Sequence, residues 1–369
     1  MTRKIQAVEL RASSKTSVSH PYIGLKRKAF WKSAVSEKNP LEFEDIYTPR
    51  FLIDKRNSIC AAGSCFAQHI GRQFKARGYN FLDREKPVGA MSPSDMESFG
   101  LDMYSARYGN IYSIRQLAQL FGQADGSFVS EESAWEKEGR FYDPFRPSIQ
   151  PNGFDSIEEL KSDRAYHLQQ VNLLLERTSV FVFTFGLTES WVNTVDGTVL
   201  PTCPGTIAGV YDDEKYKFKN FTHAEVLGDA EKFIAYAIEK NPKIRFLFTV
   251  SPVPLTATAS GNHVLPATVY SKSVLRSVCG ELYDKYSNVD YFPSYELITS
   301  HPTRGMFFEP NLRAVSRMGV RHVMDVFFSA IRSGPNDTSD LDEESLQQKH
   351  WVEEESVACD ELILEEFGE

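Results

Sequence analysis

The absences narrow this chain first. No stretch approaches about 18 consecutive apolar residues, and the N-terminal MTRKIQAVELRASSKTS has no apolar run ahead of a small-residue cleavage site. Neither a membrane span nor a signal peptide is expected, and the default location is cytoplasmic. Cysteine is sparse: Cys60, Cys65, Cys203, Cys279 and Cys359 are five in 369 residues, odd in number and without CxxC or Cys/His spacing. They read as reduced thiols, with no metal site. Neither GxxxxGK[ST] nor GxGxxG occurs, so no nucleotide or other cofactor is implied. No internal repeat is visible, which excludes a solenoid.

A basic excess is missing too. The formal net charge is −9, but the segment from Pro335 carries thirteen acidic residues against one lysine, which leaves residues 1–334 at +3. The body is near neutral and nothing argues for nucleic acid. The acidic segment 335–369, with its DLDEES and VEEES runs, is predicted to be disordered, while Trp351, Val352 and the terminal LILEEF offer a docking motif for a protein partner.

What is present centres on NSICAAGSCFAQHIGRQFKARG, residues 57–78. Ser58 to Ala62 is an apolar run of strand length, Gly63-Ser64 permits a tight turn, and Phe66, Ala67, Ile70 and Phe74 recur at helical spacing up to Gly78. In an open α/β sheet such a turn lies at the carboxyl end of a strand, where ligands bind. Ser64 there is either a helix cap or a nucleophile. Cys65 beside it competes for the second role, since a helix N-terminus stabilises a thiolate.

The rest of the chain continues the alternation. Tyr79–Leu82, Val180–Phe185, Ile244–Val250 and Val289–Phe292 read as further strands. Helices are predicted from capping boxes at Ser156 and Thr222, over Ala267–Tyr286, and from Ser316 onward. The expected fold is α/β, a doubly wound, mainly parallel five-stranded sheet in a three-layer sandwich. Residues 1–50 read as an arm that packs on the domain. Residues 51–334 form the domain, with an irregular, aromatic-rich insertion over about 83–155 as a cap.

Gly63-Ser64-Cys65-Phe66-Ala67 spells the motif that names the GSCFA family, which is similar to SGNH/GDSL-type hydrolases and acyltransferases. SARYGNIYS, DPFRP, FGLTESW, SPVPLTAT, YSKSVLR and FPSYELI also resemble a GSCFA subgroup. The resemblance implies an SGNH-like fold, with Ser64 as nucleophile and oxyanion donor. Gly109 or Asn110 would be the second donor, and the Gly186-Leu187-Thr188-Glu189 loop would supply Thr188 or Glu189 where such enzymes place an asparagine. An ionised glutamate cannot donate, so Thr188 or Asn110 takes that part. The DxxH motif of those enzymes is replaced by Asn311-Leu312-Arg313-Ala314, which leaves His263, His301 and His322 as candidate bases and His263 and His322 as the favoured pair. Arg107, Arg146 and Arg313 suit a carboxylate or phosphate on a substrate. The function implied is a serine-dependent ester hydrolase or O-acyltransferase acting on acylated carbohydrate. The alternative is a binding or scaffold protein that kept the fold and lost catalysis with the DxxH motif.

Overall fold

The computed structural model describes residues 20–87, 89–332 and 360–368. Residues up to Ile46 and those from Tyr47 onward form two separate compact units. In the first, the chain makes only short helical turns at Arg27–Ala29, Lys32–Ser36, Pro40–Glu42 and Glu44–Ile46, and the basic triplet Lys26 to Lys28 is exposed.

The second unit opens with β1 (Ile59–Gly63) and α1 (Phe66–Ala76), followed by α2 (Pro93–Ser98), α3 (Ile114–Asp125), β2 (Trp135–Lys137), β3 (Arg140–Tyr142), α4 (Ile157–Asn172) and α5 (Leu174–Arg177). It continues with β4 (Val180–Phe185), β5 (Glu189–Asn193), β6 (Val199–Leu200), β7 (Tyr216–Asn220), α6 (His223–Lys240), β8 (Arg245–Val250), α7 (Val264–Lys285), β9 (Val289–Tyr291), α8 (Ser294–Thr299) and α9 (Arg317–Arg332). The central sheet is parallel with order β1-β4-β8-β9.

Why β4 reads as one apolar run is plain from the two faces it serves. Phe181, Phe183 and Phe185 join Cys60, Ala62, Phe246 and Phe248 in a core closed by α3, α6 and α7. Val180 and Val182 turn the other way with Ile59, Ala61 and Leu247, toward α1, α8 and α9. With helices on both faces, each strand residue loses contact with water, and a buried phenylalanine contributes roughly 2–3 kcal/mol. Thr222 and Glu225 bond reciprocally at the start of α6 and Ser316 accepts from Gly319 N, as expected, while the box predicted at Ser156 is half made: Ser156 accepts from Glu159 N, but the Glu159 carboxylate accepts from Asp155 N instead of Ser156 N.

The three-layer α/β expectation holds, with two differences. The sheet has four strands rather than five, because Tyr79–Leu82 makes only a single parallel bridge, Phe81 to Ile59, before the chain turns away. The GLTESW segment is also no simple loop: from Glu189 it enters β5, which pairs antiparallel with β6 and β7. Within 83–155, α3 packs against α4 and α6 and sends Leu117, Leu120 and Phe121 into the main core. Trp351, Val352 and the two acidic runs lie outside the described residues; the LILEEF stretch falls in a 3-10 turn, Asp360–Gly368.

Candidate functional site

The β1–α1 turn is held by backbone contacts that leave room for little but glycine. Gly63 has φ +141°, and a methyl group on it would stand 2.5 Å from the Thr184 carbonyl oxygen. Its carbonyl accepts from Ile111 N, which fixes the 109–112 segment beside the turn. Ser64 N donates to Thr184 O at 3.2 Å, so the serine's own N–H is spent on the neighbouring strand.

The Ser64 side chain does not cap α1. Cys65 holds the N-cap position and makes no side-chain cap bond. Ser64 is 3% exposed, and its buried hydroxyl has no hydrogen-bond partner among the described residues. Such a group costs roughly 1–3 kcal/mol relative to a satisfied one.

Two arms of the structure meet this turn. On one, Asn110 is buried; its Oδ1 accepts from Tyr104 Oη at 2.5 Å and from Gln68 Nε2 at 3.3 Å. With its oxygen so engaged, the Asn110 amide presents Nδ2 as a donor, and that group bonds a carboxylate oxygen of Asp360 at 2.9 Å. Tyr104 Oη also reaches the Ser64 carbonyl. Gly109, next in line, has φ +65°.

On the other arm, Gly186 follows β4. Its N–H donates to Tyr112 O and its carbonyl accepts from Lys272 Nζ at 2.7 Å. Lys272, from the YSKSVLR stretch on α7, is 1% exposed. Burial pushes its ammonium down to about 8, Glu361 and Cys65 oppose that, and Arg313 adds to it. Sequence reasoning passed over this lysine. The available signal was a lysine on the same face of an amphipathic helix as Leu275 and Cys279, both buried.

The remaining sequence candidates are distributed as follows. Thr188 donates its hydroxyl to Asn220 Oδ1, and its N–H goes to Ser271. Glu189 accepts from the Thr258 hydroxyl, and burial raises its pKa. His263 is exposed and caps α7 through Nδ1, which accepts from Leu265 N. His322 is half-buried and stacked on Phe307 at 5.0 Å, with burial lowering its pKa against the opposing charge of Asp325. His301 is exposed in a 3-10 turn. His69, which the sequence did not single out, packs edge-on to Phe66 and is pushed down to about 3 by burial and then Arg72.

The three arginines separate. Arg107 bonds Asp163, Phe99 O and Ile149 O, while Arg146 is buried between Asp143 and Asp163. Burial pushes the Asp143 carboxyl up, and Arg164 and Arg146 outweigh it, holding it down at about 2. That network ties 83–163 together internally. Arg313 alone of the three turns to the site, where Nη2 pairs with Glu361 at 3.3 Å. The turn carrying it is shaped by Asn311, whose Oδ1 accepts from the N–H groups of Arg313 and Ala314.

Ser64 thus lies at the carboxyl edge of the first strand of a three-layer α/β sandwich, with the Asn110 amide and the buried Lys272 on the two arms that meet its turn. The chain belongs to the GSCFA family, whose profile matches residues 58–327. Similar solved structures include a protein described as a GDSL-like lipase from Parabacteroides merdae ATCC 43184, at 13% identity and TM-score 0.31, over 76% of this chain and 97% of the other. Another is a carbohydrate esterase whose active site displays divergent catalytic and non-catalytic binding functions, at 11% identity and TM-score 0.28, over 77% and 70%. No curated protein matches the sequence. No helix among the described residues is long and apolar enough to cross a membrane.

Proposed function

We propose that this chain is a serine-dependent ester hydrolase or O-acyltransferase acting on acylated carbohydrate, with Ser64 as nucleophile. The observation that carries it is the buried, unpartnered Ser64 hydroxyl at the carboxyl edge of β1, a group that helix capping leaves unexplained. Ser64 Oγ attacks the acyl carbon while neutral Lys272 takes the serine proton, its bond to the Gly186 carbonyl keeping it beside the turn. The C–O bond of the ester then breaks, and the Lys272 ammonium returns that proton to the departing oxygen, which leaves as an alcohol. Asn110 Nδ2 faces the developing oxyanion, for which the Asp360 carboxylate oxygen is the stand-in here. Water or a second alcohol then accepts the acyl group.

The test is a fluorophosphonate probe followed by peptide mapping. An adduct on Ser64 that vanishes in Ser64→Ala supports the reading. A non-catalytic binding protein is the second reading, favoured by the Asn311 and Ala314 replacements and by the capping role of His263. Absence of any adduct at large probe excess decides for it, and labelling of Cys65 in place of Ser64 transfers the nucleophile to the thiol.

A further inference from the structure

The chain's own C-terminal segment reaches this site. Asp360 accepts from Asn110 Nδ2 at 2.9 Å and from the Ser148 hydroxyl. Glu361 accepts from Arg313 Nη2 at 3.3 Å, with the two side chains only 12% and 11% exposed. Lys272 feels the charge of the same Glu361. Two successive carboxylates therefore occupy donors on both sides of the Ser64 turn, and Asp360 forms part of the wall of an open groove together with Gln68, Tyr104, Gly109, Asn110 and Ser148.

These donors are fixed by groups other than the carboxylates they hold. Tyr104 and Gln68 orient the Asn110 amide, and Asn311 holds the backbone on which Arg313 rides. A guanidinium with few exposed atoms, beside a buried lysine, is a receptor for an anion that arrives already charged.

We propose that the Ser64 site takes an ester bearing a free carboxylate, of which an acylated uronic acid is the carbohydrate form. Arg313 is the receptor for that carboxylate, and Asp360-Glu361 is a resident mimic that the ligand displaces. Asp360 marks the oxyanion position and Glu361 the carboxylate position. The inference rests on the proposed function only for the word ester; the anion receptor is tested by binding alone.

The experiment uses the full chain and a fluorescein-labelled peptide, DELILEEFG, followed by anisotropy. A tethered segment competes at millimolar effective concentration, so neutralising it in Asp360→Asn/Glu361→Gln is expected to tighten peptide binding about tenfold or more. Adding Arg313→Gln to that variant is expected to weaken binding at least tenfold, and Arg313→Lys to restore part of it. Glucuronate should displace the peptide where glucose does not. Equal peptide binding by the unaltered and neutralised chains overturns the proposal, as does indifference to Arg313→Gln or equal competition by the two sugars. A missing phosphonate adduct would sink the esterase reading and leave these binding results standing.

Discussion

Gly186 is packed against Ser64 with no space for a side chain: a methyl group there would stand 3.0 Å from Ser64 Cβ and 3.1 Å from the Tyr112 carbonyl oxygen. The same residue's carbonyl anchors Lys272. Gly186→Ala is therefore expected to lower stability by about 1–3 kcal/mol through overpacking and to slow phosphonate labelling of Ser64. Urea unfolding and labelling rates check the two halves separately.

Ser64→Ala should do the opposite to stability. Removing a buried hydroxyl with no partner among the described residues relieves its desolvation and is expected to gain about 1 kcal/mol while labelling is lost. A destabilised Ser64→Ala chain would mean that the hydroxyl has a structural partner.

The pH dependence follows from Lys272, lowered from 10.5 to about 8. Between those values the unfolded chain holds the extra proton, so stability rises with pH across that window, by about 3 kcal/mol for the full shift. Below about 8 the burial penalty is fully present. Lys272→Met should lack this rise when denaturation is followed from pH 7 to 10, and the two profiles are compared as a difference so that other groups cancel. In the intact chain, phosphonate labelling should speed up as pH passes about 8; Lys272→Met should label slowly and without that rise.

His263 tests the capping role. His263→Ala removes the acceptor for Leu265 N and is expected to cost about 1 kcal/mol, with labelling of Ser64 unchanged. A labelling rate that falls a hundredfold would instead make His263 the base.

Arg146 should separate from Arg313. Arg146→Met leaves buried Asp143 and half-buried Asp163 short of a cation and is expected to cost about 3–5 kcal/mol in thermal or urea unfolding. Arg313→Gln, at a site edge, should change peptide affinity far more than stability.

The local sequence was sufficient for whatever depends on neighbours in the chain. Apolar runs mark strands buried on both faces, so β1, β4, β8 and β9 could be placed within a residue or two. Ser156, Thr222 and Ser316 signal helix starts because the cap oxygen and the N–H that donates to it lie three residues apart. Gly63-Ser64 could be placed at a strand-to-helix turn for the same reason.

Only the tertiary structure decided which side chains meet Ser64. Lys272 is 208 positions away in the chain and comes to the turn because α7 packs on the sheet beside Gly186. Arg107, Arg146 and Arg313 look alike in sequence, yet acidic partners from distant segments hold the first two inside the fold and leave the third at the site. Tyr79–Leu82 has the composition of a strand, but a strand needs a continuous edge to pair with, and this one keeps a single bridge to Ile59. Asp360 and Glu361 read as two more charges in an acidic tail until the fold sets Asn110, Ser148 and Arg313 where their carboxylates end. Periodicity and capping act over a few residues, whereas charge pairing and site assembly depend on contacts that only the packed chain creates.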